Sequence, residues 1–135
     1  MNQRPLSPHL GVYKFMYTMS LSIMHRLTGL AASVGFLAFV WWLMALASGP
    51  GAYEGAMRAL TSPFAKLLLI GFTFSFVYHF CNGIRHLVWD TGHGLERAQA
   101  RRSGAAVVAA SLLITVLVVW LGCAALAGSP GGATP

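Results

Sequence analysis

Read for apolar continuity, the chain falls into three long hydrophobic runs separated by short polar or Gly/Pro-rich breaks. LTGLAASVGFLAFVWWLMALASG follows Arg26, and no formal charge appears until Glu54. After Lys66 comes LLLIGFTFSFVYHFCNGI up to Arg85, in a helix expected to continue to Trp89. The third run, GAAVVAASLLITVLVVWLGCAALAG, is the most uniformly apolar and leads into a Pro/Gly tail. Each is long enough to cross the roughly 30 Å hydrocarbon core as a helix. The pattern predicts an all-α integral membrane protein of three transmembrane helices, with spans at about 22–48, 64–89 and 104–127 in a single membrane-anchor domain, 1–135. GPGAYEGAMRALTSP, residues 49–63, reads as a connecting loop with at most one interfacial helical turn. DTGHGLERAQARRS is the second, polar connection.

Composition removes the soluble alternatives. Only 9% of the 135 residues are charged and 56% are hydrophobic, where a soluble domain carries roughly 25% charged residues. Three crossings leave little more than about 70 residues for tails and loops, which excludes a soluble catalytic domain. The net charge of +6 does not imply nucleic acid, because the cations are not gathered on one face with interleaved aromatics. They follow the spans instead. Arg4, Lys14, Arg26, Arg85, Arg97, Arg101 and Arg102 fall on one side, and Arg58 and Lys66 on the other. The positive-inside rule then places the N-terminus in the cytoplasm (or an organelle matrix) and the C-terminus outside. Cys81 and Cys123 have no metal or redox spacing and read as small buried residues. The N-terminal segment lacks the apolar region and cleavage site of a signal peptide, so span one is expected to be retained.

Polar side chains at membrane depth carry the chemistry, since an ionisable group inside a bilayer is costly and marks a candidate functional site. Ser22, His25, Arg26 and Gly29 stand at i, i+3, i+4 and i+7, on one face at the cytoplasmic mouth of span one. His79, Gly83, His86 and Asp90 stand at i, i+4, i+7 and i+11 along span two. At ~1.5 Å rise per residue, His79 lies ~10 Å deeper than His86. A neutral imidazole at that depth needs a hydrogen-bond partner or a metal. Haem iron suits it, because one nitrogen is an axial ligand and the apolar macrocycle fills a gap between helices. His25, Arg26 and Arg85 stand where propionates would need cations, and Gly83 would leave room for a flat ring.

Plainer readings exist for each residue. His79 can serve as an interhelical hydrogen-bond donor and Ser22 as a helix contact, and Arg26 and Arg85 as snorkelling cations. His9 and His93 belong to no constellation, Trp41 and Trp42 read as aromatic belt, and Gly29, Ser33 and Gly35 as close helix packing. Span one offers no His at the depth of His79. A haem with two His ligands therefore needs a second chain.

RPLSPHLGVY at 4–13, SIMHRLTG at 22–29 and HFCNGIRHLVWD at 79–90, in this order and at these distances, resemble the cytochrome b membrane anchor, the larger of two, of succinate dehydrogenase, respiratory complex II. The resemblance covers the whole chain. It implies one half of a heterodimeric haem-binding helix bundle within a heterotetramer of electron transport and the tricarboxylic acid cycle. A flavoprotein subunit with FAD oxidises succinate, an iron-sulfur subunit relays electrons, and two anchors bind haem b and ubiquinone between them. By position, His79 matches the axial haem ligand, the second coming from the smaller anchor. His25 matches the histidine at the haem propionates, Arg26 lies between propionate and quinone, and Ser22 stands beside the quinone ring. Arg85 and His86 fall near the propionates and Asp90 on a proton path. No residue of this chain is implied to be catalytic by itself. The implied location is the bacterial inner membrane, ahead of the mitochondrial one.

Two other classes compete. A haemless structural anchor would dock the soluble subunits and bind quinone without needing His79. A small transporter subunit would spread polar residues through the membrane depth, whereas here they crowd at one side.

Overall fold

The computed structural model describes residues 16–128, so Arg4, His9, Lys14, the RPLSPHLGVY segment and the end of the Pro/Gly tail lie outside the described residues. The described chain forms four helices: α1 (Tyr17–Ala47), α2 (Pro50–Leu60), α3 (Pro63–Asp90) and α4 (Arg97–Ala127). Three of them, α1, α3 and α4, are long and apolar enough to span a bilayer. At 31 residues, α1 reaches about 46 Å, well beyond a hydrocarbon core of about 30 Å. The excess explains why α1 begins more than a turn before Ser22 and α4 nearly two turns before Gly104. Arg97, Arg101 and Arg102 are good helix formers and carry the helix on into the interface.

The connection between the first two spans departs from the expected loop. Residues Pro50–Leu60 form a three-turn helix. Pro50 stands at its first turn, where a missing N–H costs nothing. Gly49 precedes it at φ 105°, a conformation that L side chains rarely adopt. Ala56 is buried and Tyr53 and Met57 half-buried, while Glu54 and Arg58 are exposed. That is the amphipathic pattern of an interfacial helix. The Gly and Pro residues that read as loop signals cap it. Ser62 then starts α3, its Oγ accepting from the Ala65 N–H at 3.3 Å.

Packing centres on α3, which lies against α1 on one side and α4 on the other. Leu21, Tyr78 and Val107, one from each long helix, form a buried cluster, and the Tyr78 hydroxyl donates to the Leu21 carbonyl at 3.2 Å. Glycines permit the close approaches, Gly104 and Gly35 among them. A Cβ on Gly104 would collide with Leu21 Cδ1, and one on Gly35 with the Phe72 ring.

Polarity runs inside-out. Thr28, Ser75, Asn82, Arg85, Ser111 and Thr115 are buried, while Leu37, Leu113 and Phe64 are each 71% exposed, as expected where lipid is the solvent. Thr28, Ser111 and Thr115 donate to carbonyls one turn back in their own helices. One expectation is corrected here. Cys81 is half-buried but Cys123 is exposed, because beyond Thr115 α4 leaves its neighbours and exposes Val116, Leu117, Val118, Trp120 and Leu121.

Candidate functional site

Helical spacing on α1 and α3 brings three imidazoles together where the two helices cross. The rings of His25 and His79 are stacked, 4.0 Å between centroids and 7° from parallel, which corrects the expectation that span one offers no His at the depth of His79: the His25 ring reaches that level. His86 stands 5.2 Å from His25, tilted by 44°. Gly29, one turn above His25, makes this possible. A Cβ there would stand 2.7 Å from Cε1 and 3.0 Å from Nδ1 of His79.

The hydrogen bond of His79 decides its tautomer. Its Nδ1 lies 3.0 Å from the His25 carbonyl oxygen. A carbonyl can only accept, so Nδ1 carries the proton, and in the uncharged tautomer that this selects the lone pair is on Nε2. A backbone carbonyl holding the second nitrogen is the usual support of a metal-bound histidine. Gly83, one turn further along α3, has nothing within 4 Å of the position a Cβ would take, which leaves that face of α3 open for a planar group. The His25 Nδ1 is buried without a hydrogen-bond partner among the described residues. No group of three or more His, Cys, Asp or Glu among the described residues could hold a metal ion. With Nδ1 of His79 held by a carbonyl and the Gly83 position open, these residues fit one side of a haem.

The other expected residues are placed differently. Ser22 is half-buried and Arg26 and Asp90 are exposed, all at the same end of the bundle as His25 and His86. Among the described residues their side chains make no hydrogen bond, ion pair or ring contact with the array. Arg85 differs most from its expected place at the propionates. It is 7% exposed and faces α4, with Nε donating to Ser103 Oγ at 2.9 Å, Nη2 to the Ala100 carbonyl at 2.8 Å and Nη1 to Asn82 Oδ1 at 3.2 Å. With each of its three nitrogens bonded inside the chain, it does not snorkel. Its Cζ lies 3.9 Å from the centre of the Trp89 ring. Trp89, which the sequence reading left out, also meets His86 edge-on at 5.1 Å. Its spacing, i+3 from His86 and i+4 from Arg85, was the available signal.

A cavity of about 720 Å³ lies elsewhere, between α1, α2 and α3, lined by residues such as Gly35, Trp42, Leu68 and Phe72. It has no titratable lining residue and does not touch the histidines, so proton-coupled chemistry is not assigned to it.

Residues 1–118 match the family described as the succinate dehydrogenase/fumarate reductase transmembrane subunit. The chain belongs to this family. It is 41% identical over 118 residues to a succinate dehydrogenase cytochrome b556 subunit from Rickettsia prowazekii, covering 87% of this chain and 91% of that one. It is 40% identical over 116 residues to the subunit of the same name from Paracoccus denitrificans, covering 86% and 89%. A mitochondrial cytochrome b560 subunit of succinate dehydrogenase from Sus scrofa is 40% identical over 121 residues, covering 86% of this chain and 68% of that one. The chain is thus a transmembrane subunit of an enzyme complex. The family match takes in α1, α2, α3 and all of α4 up to Val118, including every member of the histidine array.

Proposed function

We propose that this chain is the haem- and quinone-binding anchor of a succinate:quinone oxidoreductase, holding haem b through His79 and helping electrons pass from an iron-sulfur subunit to ubiquinone. The observation that carries the reading is the His79 Nδ1 to His25 carbonyl bond, which leaves Nε2 as the ring nitrogen able to act as a ligand, one helical turn from the open position at Gly83. Bound there, haem b would supply one-electron redox capacity. The chain's own residues orient and hold. His79 would hold the haem iron, and His25, with His86 beside it, would hold the haem propionates. Arg26, exposed and unpaired among the described residues, is free to reach a propionate or a quinone oxygen.

Reducing a quinone to a quinol consumes two electrons and two protons. Ser22 can donate a hydrogen bond to one quinone oxygen, and the Arg26 guanidinium can stabilise negative charge developing on the ring by preorganised electrostatics. Asp90, exposed at the end of α3, can take protons from water and pass them on. Arg85 has no part in propionate binding in this proposal.

The reading implies a heterotetramer: a flavoprotein with FAD, an iron-sulfur subunit, and a smaller anchor supplying the second haem ligand. It places the complex in the bacterial inner membrane with the N-terminus of this chain in the cytoplasm. The purified complex should show a b-type reduced-minus-oxidised spectrum that His79→Ala abolishes or shifts. Ser22→Ala and Arg26→Ala should lower quinone reduction while sparing succinate oxidation by a soluble dye. Equal loss of both activities would count against the quinone role, and a missing Soret band would favour a haemless anchor. A C-terminal reporter active only in the cytoplasm would reverse the orientation.

A further inference from the structure

We infer that Arg85 is a positioning residue for the histidine array, acting through the Trp89 indole and not by touching a cofactor. This deepens, and for its haem consequences rests on, the function proposed above. Arg85 and His86 are neighbours in sequence, so they leave α3 in different directions. Arg85 faces α4 while His86 faces α1. Trp89 lies one turn on, within reach of both.

The guanidinium is held on three sides by Ser103 Oγ, the Ala100 carbonyl and Asn82 Oδ1. Those bonds fix its plane, and the plane lies over the indole at 3.9 Å. The Trp89 Nε1–H donates to the Gly94 carbonyl at 3.1 Å, so the loop beyond α3 holds the other side of the ring. Gly94 itself adopts φ 78°, which lets that carbonyl turn back. The indole is thus clamped between a cation and a hydrogen bond, and its free contact is His86, edge-on at 86°. From His86 the contacts continue to His25 at 5.2 Å and from His25 to His79 at 4.0 Å. A cation buried without a carboxylate partner among the described residues is costly. A tie between α3 and α4 alone could be made by neutral side chains. The planar guanidinium, fixed by its three bonds and laid over the indole, is what joins the tie to the array. Lysine cannot replace it, because an ammonium is a point charge without the planar fork.

The test uses the whole complex in bilayers, with isotope-labelled histidine and tryptophan, chemically reduced and read by solid-state NMR for ring-to-ring contacts. Wild type should show His86–Trp89 and His25–His86 contacts. Arg85→Lys, which keeps the charge, should lose the His25–His86 contact. Trp89→Leu should lose it too, and Trp89→Phe, which keeps a face and an edge, should retain it. Where haem is present, the variants that lose the contact should also shift its absorption maximum and midpoint potential at normal haem content.

Persistence of the His25–His86 contact in Arg85→Lys overturns the inference. If the Arg85 variants do not assemble, persistence of the contact in Trp89→Leu overturns it instead. A wild-type complex without b-type haem would sink the proposed function but leave the ring contacts, which need no haem, to decide the role of Arg85.

Discussion

Gly29→Ala isolates the packing on which the proposed ligand depends. The new methyl would lie 2.7 Å from His79 Cε1, where two carbons need about 3.5–4.0 Å. The imidazole must retreat by about 1 Å, or α1 and α3 must part by as much. Either movement takes the 3.0 Å bond between His79 Nδ1 and the His25 carbonyl past the distance at which it still counts as a hydrogen bond. The lost bond is worth about 1 kcal/mol and the overpacking costs about 1–3 kcal/mol. Replacing a helical glycine returns up to about 1 kcal/mol. The net loss, about 1–4 kcal/mol, is small enough for assembly to survive. The ligand is affected more, since removing the partner of a metal-bound histidine typically lowers affinity by about 10–100-fold. Haem content per complex, measured optically on purified wild-type and variant preparations, should fall in Gly29→Ala and rise again when haem is added in excess. Full haem content with an unchanged spectrum would refute the reasoning, because it would mean that His79 does not need its place against Gly29.

Gly83→Ala should leave assembly intact, since its Cβ meets nothing within 4 Å, but should lower haem content; unchanged haem content would show that the cofactor does not lie on that face. Gly104→Val should lower the melting temperature of the complex, by about 1–3 kcal/mol of overpacking, because its side chain would meet Leu21. Glu54→Gln should leave that temperature unchanged, as the Glu54–Arg58 pair is 3.9 Å long and both side chains are exposed, worth at most about 0.5 kcal/mol.

Much of the candidate site is legible in the sequence because membrane burial makes polar residues conspicuous. His79 and Arg85 stood out against apolar surroundings, and helical spacing alone put Ser22 with His25 and His79 with His86. What spacing cannot do is turn one helix relative to another. Nothing in HFCNGIRHLVWD says that His86 faces α1 while Arg85, the residue before it, faces α4 and donates to Ser103 and Ala100. Gly29 was legible as a packing residue, but not as the seat of the His79 ring. The α2 helix was hidden because Gly49 and Pro50 mark loops and helix starts alike.

The sequence by itself determined the solvent and the number of crossings, since a run of some 20 apolar residues is stable only where lipid surrounds it. It also determined which polar groups are available at membrane depth. Only the tertiary structure decided their partners. The helix crossing at Gly29 brings His79 onto the His25 carbonyl and leaves its other nitrogen free, while the α3–α4 contact removes Arg85 from the surface. The exposed end of α4, with Cys123 on it, follows from the same cause: apolarity says that a side chain avoids water, but whether it meets protein or lipid depends on where neighbouring helices diverge.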